Sequence, residues 1–142
     1  AVFSKNIVSL VKTYPKTKFI LFFPPYSIFK YAIDIQINPQ AYFEYNKLVE
    51  YVVLETAKYS NVNVHWFGDK SFVWNIANYI DFTHYHADFM SMFLHEFSKN
   101  RSLINVKNYK YLLDKLKQDA NSIDLVEFSK PLTDSKHLIQ GR

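Results

Sequence analysis

Apolar positions along this chain fall in blocks whose spacing alternates between helical and continuous. Phe3, Ile7, Leu10, Val11 and Tyr14 recur at helical spacing and predict one apolar face of a first helix, which Pro15 closes. Lys18 leads into the unbroken run Phe19-Ile20-Leu21-Phe22-Phe23, the pattern of a strand covered on both faces, and Pro24-Pro25 ends it abruptly. Residues 26–38 read as a loop or irregular segment. Asn38 as N-cap with Pro39 at the first helical position opens a long helix to about Tyr59, with Phe43, Val49, Val52, Val53 and Thr56 toward the core. A second strand, Val62 to Phe67, is terminated by Gly68-Asp69. Strand, helix, strand with that crossover length predicts a parallel pair wound right-handed.

Beyond Asp69 the connection over residues 70–83 is rich in aromatics and irregular. Phe89, Met90, Phe93, Leu94 and Phe97 mark one apolar face of a helix from Ala87 to about Asn100, and a further helix runs from about Val106 to Gln118. Asp124 to Phe128 reads as a short strand. No internal repeat interrupts this order, so residues 1–130 are expected to form a single α/β domain and residues 131–142 a solvated tail.

Composition narrows the chemistry. A length of 142 residues with 49% hydrophobic content allows one domain with a real core. With only 2 Gly there is little material for glycine-lined phosphate loops, no nucleotide fingerprint is present, and no cofactor is expected. The absence of Cys removes disulfides, thiolate zinc sites and a Cys nucleophile, and leaves the compartment open. The longest apolar run, Phe19 to Pro25, is far short of the roughly 20 residues of a membrane span. The net charge of +4 is uneven, with five Lys and no acid in residues 1–30. Nucleic-acid binding would require exposed aromatics among clustered basic residues, whereas these aromatics sit in core-like runs, so no nucleic-acid partner is expected. A start at Ala1 without an apolar leader fits a processed chain or an excised piece of a longer protein, and the excised piece is the expectation.

The stretch with the most chemical content is Asn78-Tyr79-Ile80-Asp81-Phe82-Thr83-His84-Tyr85, just ahead of an amphipathic helix. A carboxylate that accepts the Nδ1 proton of an imidazole fixes its tautomer and steadies the imidazolium formed when Nε2 removes a proton from a nucleophile. Asp81 and His84, three residues apart, are therefore the candidate catalytic pair. The bland alternative makes Asp81 a turn acceptor and His84 a boundary histidine. Ser27, the hydroxyl nearest a strand end, follows Pro24-Pro25 rather than the glycines of a nucleophile elbow, which argues against a nucleophilic role. Tyr26 and Ser27 are instead candidate substrate-lining residues, with core packing an equal reading for Tyr26.

The segment Phe22-Phe23-Pro24-Pro25-Tyr26-Ser27 after a buried strand, then a helix and a strand, then Asn78-x-x-Asp81-x-x-His84-Tyr85 before a helix, resembles the C-terminal half of an SGNH (GDSL-like) hydrolase over about residues 3–105. The likeness is to the bacterial cell-surface branch that includes DltD-like proteins and relatives of polysaccharide O-acetyltransferases. It implies a partial three-layer, flavodoxin-like parallel sheet flanked by helices, and an esterase or O-acyltransferase acting on acyl esters of cell-surface carbohydrate. It implies Asp81 as orienter and His84 as general base of a Ser-His-Asp triad, and a periplasmic or envelope location. The Gly-Asp-Ser block and the Gly-x-Asn-Asp element of that family do not occur in this chain, so the serine is expected from a preceding half and the chain alone is expected to be inactive.

Two other readings compete. Residues 84–88, His84-Tyr85-His86-Ala87-Asp88, copy the His-x-His-x-Asp start of a metallo-β-lactamase-type site, but Phe89 stands where that pattern continues with His, His95 falls on the next helix, and no metal is assigned. His65 lies mid-strand and reads as packed, and His137 as tail. The other reading is a non-catalytic structural or partner-binding module. A parallel sheet lacking its first strands would leave apolar edges uncovered, which predicts a homodimer through the open sheet edge.

Overall fold

The computed structural model describes residues 2–130. In chain order it contains a π-helical turn (Ser4–Val8) running into α1 (Ser9–Thr13), then β1 (Phe19–Phe22), α2 (Ile28–Gln36), α3 (Pro39–Thr56) and β2 (Val62–His65). Two 3-10 turns (Ser71–Trp74 and Ile76–Asn78), α4 (Phe89–Ser98) and α5 (Tyr109–Asn121) follow. The fold is mixed α/β around a two-stranded parallel sheet, with Phe19 opposite Val62 and Phe22 opposite His65.

Alternation along the strands decides which helix each side chain meets. Leu21 and Val64, opposite each other, join the cluster that holds Val49, Val52 and Val53 of α3. The next pair, Phe22 and His65, turns to the other face. There Phe22 meets Phe93 and Phe97 of α4 at 6.1 and 5.5 Å between ring centres, and His65 meets Phe97 edge-on at 4.7 Å. His65 is fully buried, as its mid-strand position predicted, and its Nδ1 donates to the Arg101 carbonyl at 2.8 Å. Loss of water around the ring lowers its pKa.

The two sheet edges differ. The outer edge of β2 is covered by the segment after α4, where Ile104 N donates to Val64 O at 3.0 Å and Trp66 N to Ser102 O at 2.7 Å. On β1, Phe19 N and Phe23 N point inward to Asn61 O and His65 O. In a parallel ladder the alternate residues, Ile20 and Phe22, direct their backbone groups the other way, toward an edge with no strand among the described residues. β1 is therefore an edge strand, and the coverage on both faces that the apolar run predicts is incomplete at Ile20. Ile20 is 43% exposed because α4 ends at Ser98, and the turn beyond it presents Asn100, bonded to Asn63, rather than an apolar side chain.

Several elements depart from the sequence pattern. Residues 28–36, expected to be loop, form α2: Ser27 caps it by accepting from Lys30 N, and Ile28, Tyr31, Ala32 and Ile35 give it an i, i+3, i+4, i+7 stripe facing α3 and α5. In the first helix Val8 and Val11 are buried while Leu10 and Tyr14 are exposed, because the wider π-turn shifts the phase of the apolar face. On α3, Phe43 is exposed and its neighbour Tyr42 is buried, donating from its hydroxyl to Leu113 O of α5 at 3.0 Å; Val49, Val52, Val53 and Thr56 are buried as expected. Asn38 stands at the N-cap position before Pro39 but makes no side-chain cap bond. The segment expected as a strand at Asp124–Phe128 is helical over residues 125–130, with Asp124 Oδ1 accepting from Glu127 N at 2.9 Å. The expected tail and His137 lie outside the described residues. Among the described residues no helix is long and apolar enough to cross a membrane.

Candidate functional site

Pro24-Pro25 leaves β1 in extended form, and the segment that follows receives a second loop folded back from the 3-10 turns. Tyr79 and Tyr85 pair as an antiparallel bridge, Ile80 N donates to His84 O at 2.7 Å, and His86 N donates to Asn78 O at 3.0 Å. This closes residues 79–85 into a tight hairpin-like loop. Three contacts dock it on the carboxyl side of β1. The buried Tyr79 hydroxyl donates to Pro25 O at 3.0 Å, and both Ser27 N and Ser27 Oγ donate to Phe82 O, at 3.0 and 2.9 Å. The Tyr85 ring stands edge-on to Phe93 at 5.0 Å.

At the tip of this loop Asp81 and His84 meet. His84 Nδ1 donates to Asp81 Oδ2 at 2.6 Å. The other carboxylate oxygen, Oδ1, accepts from Thr83 N at 2.7 Å, His84 N at 2.8 Å and Thr83 Oγ1 at 2.9 Å. Asp81 thus closes an Asx-type turn with one oxygen and holds the imidazole with the other. These four donors, the Thr83 amide first, stabilise the charged carboxylate and hold its pKa far below the ordinary aspartate range.

A proton on Nδ1 leaves Nε2 as the unprotonated nitrogen of neutral His84. Nε2 takes no hydrogen-bond partner among the described residues, and the side chain is 74% exposed. The arrangement can accept a proton at Nε2 from a hydroxyl brought to it and return that proton to a leaving group, with Asp81 steadying the charge between the two events.

The remaining sequence candidates lie close by but differ in access. Ser27 is fully buried, and its hydroxyl is engaged by the cap of α2 and by Phe82 O, so it positions the loop and presents no surface to a ligand. Tyr26 is half-buried and packs on Tyr31 at 5.9 Å. His86 and Asp88 are exposed, and among the described residues no three of His, Asp and Glu gather as metal ligands. Thr83 escaped the sequence reading although it supplies two of the four donors on Asp81. Its signal is the Asp-x-Thr spacing, which lets a carboxylate bond an amide and a hydroxyl two residues on.

No family model, curated protein or solved structure matches the chain.

Proposed function

We propose that Asp81 and His84 are the orienter and general base of an SGNH-like ester hydrolase or O-acyltransferase that acts on acyl esters of cell-surface carbohydrate. The carrying observation is the 2.6 Å bond from His84 Nδ1 to a carboxylate already fixed by three further donors, on an exposed imidazole whose Nε2 takes no partner among the described residues. The parallel pair joined through α2 and α3, with helices against both faces, is compatible with part of a three-layer flavodoxin-like sheet. The open edge of β1 offers a place for the strand whose following loop carries the serine.

In this reading His84 Nε2 takes the serine proton as the serine oxygen bonds to the acyl carbon, and the carbonyl electron pair moves to oxygen. When the tetrahedral intermediate collapses, the bond to the sugar oxygen breaks and Nε2 returns the proton to it. Water or an acceptor hydroxyl then repeats the sequence on the acyl-serine.

The test is turnover by a polypeptide that contains both this chain and the serine. His84→Ala and Asp81→Asn are each expected to lower kcat by about 10³- to 10⁴-fold. Residues 1–142 alone are expected to cleave p-nitrophenyl acetate no faster than an equal concentration of free imidazole. Near-normal turnover in either variant removes the assignment.

One observation favours a structural reading: Asp81 Oδ1 is fully engaged within its own turn. If the pair serves only that turn, Asp81→Asn lowers thermal stability and leaves turnover unchanged.

A further inference from the structure

A second polar hollow lies beside the end of β2, and its chemistry is independent of Asp81 and His84. Trp66 is 1% exposed, and its indole Nε1–H has no hydrogen-bond partner among the described residues. Asp69 Oδ1 is buried and equally unpartnered. Both residues line one cavity of about 190 Å³ together with Ser102, Leu103, Asn108 and Leu112. Unpaired buried donors and acceptors are rare in folded proteins, and here one of each belongs to residues that line the same cavity.

The surroundings prevent either group from finding a partner within the fold. Phe23 and Tyr45 pack on the indole at 5.9 and 6.2 Å between ring centres. A Cβ at Gly68 would come within 2.8 Å of Trp66 Cζ2, so only glycine at that position leaves room for the ring where it packs. Asp69 turns its other oxygen, Oδ2, toward Lys70 Nζ at 3.7 Å, which leaves Oδ1 without that partner. Ser102 Oγ donates to Glu96 Oε2 at 2.7 Å and retains lone pairs as an acceptor. Asn108 is occupied, donating to Leu103 O and accepting from Asn105 N.

This pairing selects its ligand. An anion would meet Asp69, a cation would leave the indole N–H without an acceptor, and an apolar group would satisfy neither. A hydroxyl accepts from Nε1–H and donates to Oδ1 at once. The volume is about six times the roughly 30 Å³ share of one water, which suits a small polyol or a single sugar ring. We infer that the cavity lined by Trp66, Asp69 and Ser102 is a binding site for a hydroxyl group of a small polyol or monosaccharide, held between the indole N–H and the Asp69 carboxylate.

The chain contains 2 Trp, and the second, Trp74, is 41% exposed, so each spectrum carries its own control. Glycerol and methyl α-glucoside are titrated into residues 1–142 while the two indole Nε1–H signals are followed by ¹H–¹⁵N NMR. The expected result is a saturable shift of the Trp66 signal by at least one of the two probes, with Trp74 still. Asp69→Ala is expected to weaken that binding at least tenfold, and Asp69→Asn, which keeps the side-chain shape should the alanine variant not fold, at least fivefold. A Trp66 signal that stays fixed, or drifts linearly together with Trp74, overturns the inference and leaves the cavity to water. Unchanged affinity in a folded Asp69 variant overturns it as well.

Discussion

The carbonyl oxygen of Phe82 receives two hydrogen bonds from a single residue, Ser27, one from its amide at 3.0 Å and one from its hydroxyl at 2.9 Å. The same hydroxyl accepts from Lys30 N at 3.3 Å and so caps α2. One buried side chain therefore ties the start of α2 to the loop that carries Asp81 and His84. The geometry of the pair depends on a residue that does not touch it.

Ser27→Ala removes the cap and one of the two bonds to Phe82. We expect a loss of about 1–2 kcal/mol in denaturant unfolding. Faster amide exchange at Ile80, whose N–H closes the loop on His84 O, should accompany it. Wild-type stability together with unchanged exchange at Ile80 would show that the clamp carries nothing.

The Asp81 carboxylate should remain ionised well into acid. Its folded pKa is depressed, chiefly by the Thr83 amide and then by His84, so its contribution to the turn is complete above the ordinary carboxylate value of about 3.9 and is lost as pH falls from there toward the lower folded value. Titration of the side-chain ¹³C signal is expected to leave Asp81 charged at pH 3, below the ordinary carboxylate value of about 3.9. A midpoint near 4 for Asp81 would contradict the four-donor turn. In the same sample, ¹⁵N shifts should assign neutral His84 to the tautomer with the proton on Nδ1.

The open edge of β1 should make the chain self-associate. Ile20 is exposed there, and a cavity of about 300 Å³ lined by Phe3, Ile7, Leu21, Phe22, Leu48 and Val52 adjoins the same strand. An unpaired, apolar edge is a template for another strand. Light scattering across a concentration series is expected to show dimers or larger species, and Ile20→Lys to shift them toward monomer by placing a charge on the edge. A clean monomer at high concentration would count against strand pairing.

What the sequence determined by itself was whatever depends on near neighbours. The two strands were legible because Phe19 to Phe23 is an apolar run closed by Pro24-Pro25 and Val62 to Phe67 is a mostly apolar, β-branched and aromatic stretch closed by Gly68-Asp69, and the parallel pairing followed from the length of chain between them. The meeting of Asp81 with His84 was legible for the same reason, since three residues of a tight turn suffice to join them. Tertiary structure decided the rest. Whether Tyr42 or Phe43 faces inward is set by where α5 docks on α3, and the 28–36 segment declares itself a helix through partners far along the chain. Residues 125–130 turn helical where Phe128 stacks on Phe29 at 4.3 Å, a contact between residues about a hundred positions apart. Trp66 and Asp69 lie three residues apart, yet that Trp66 Nε1 and Asp69 Oδ1 stay unpartnered among the described residues is visible only once Phe23 and Tyr45 have packed on the indole. Spacing along a chain fixes contacts within a turn, whereas burial and the loss of water depend on which distant surfaces arrive.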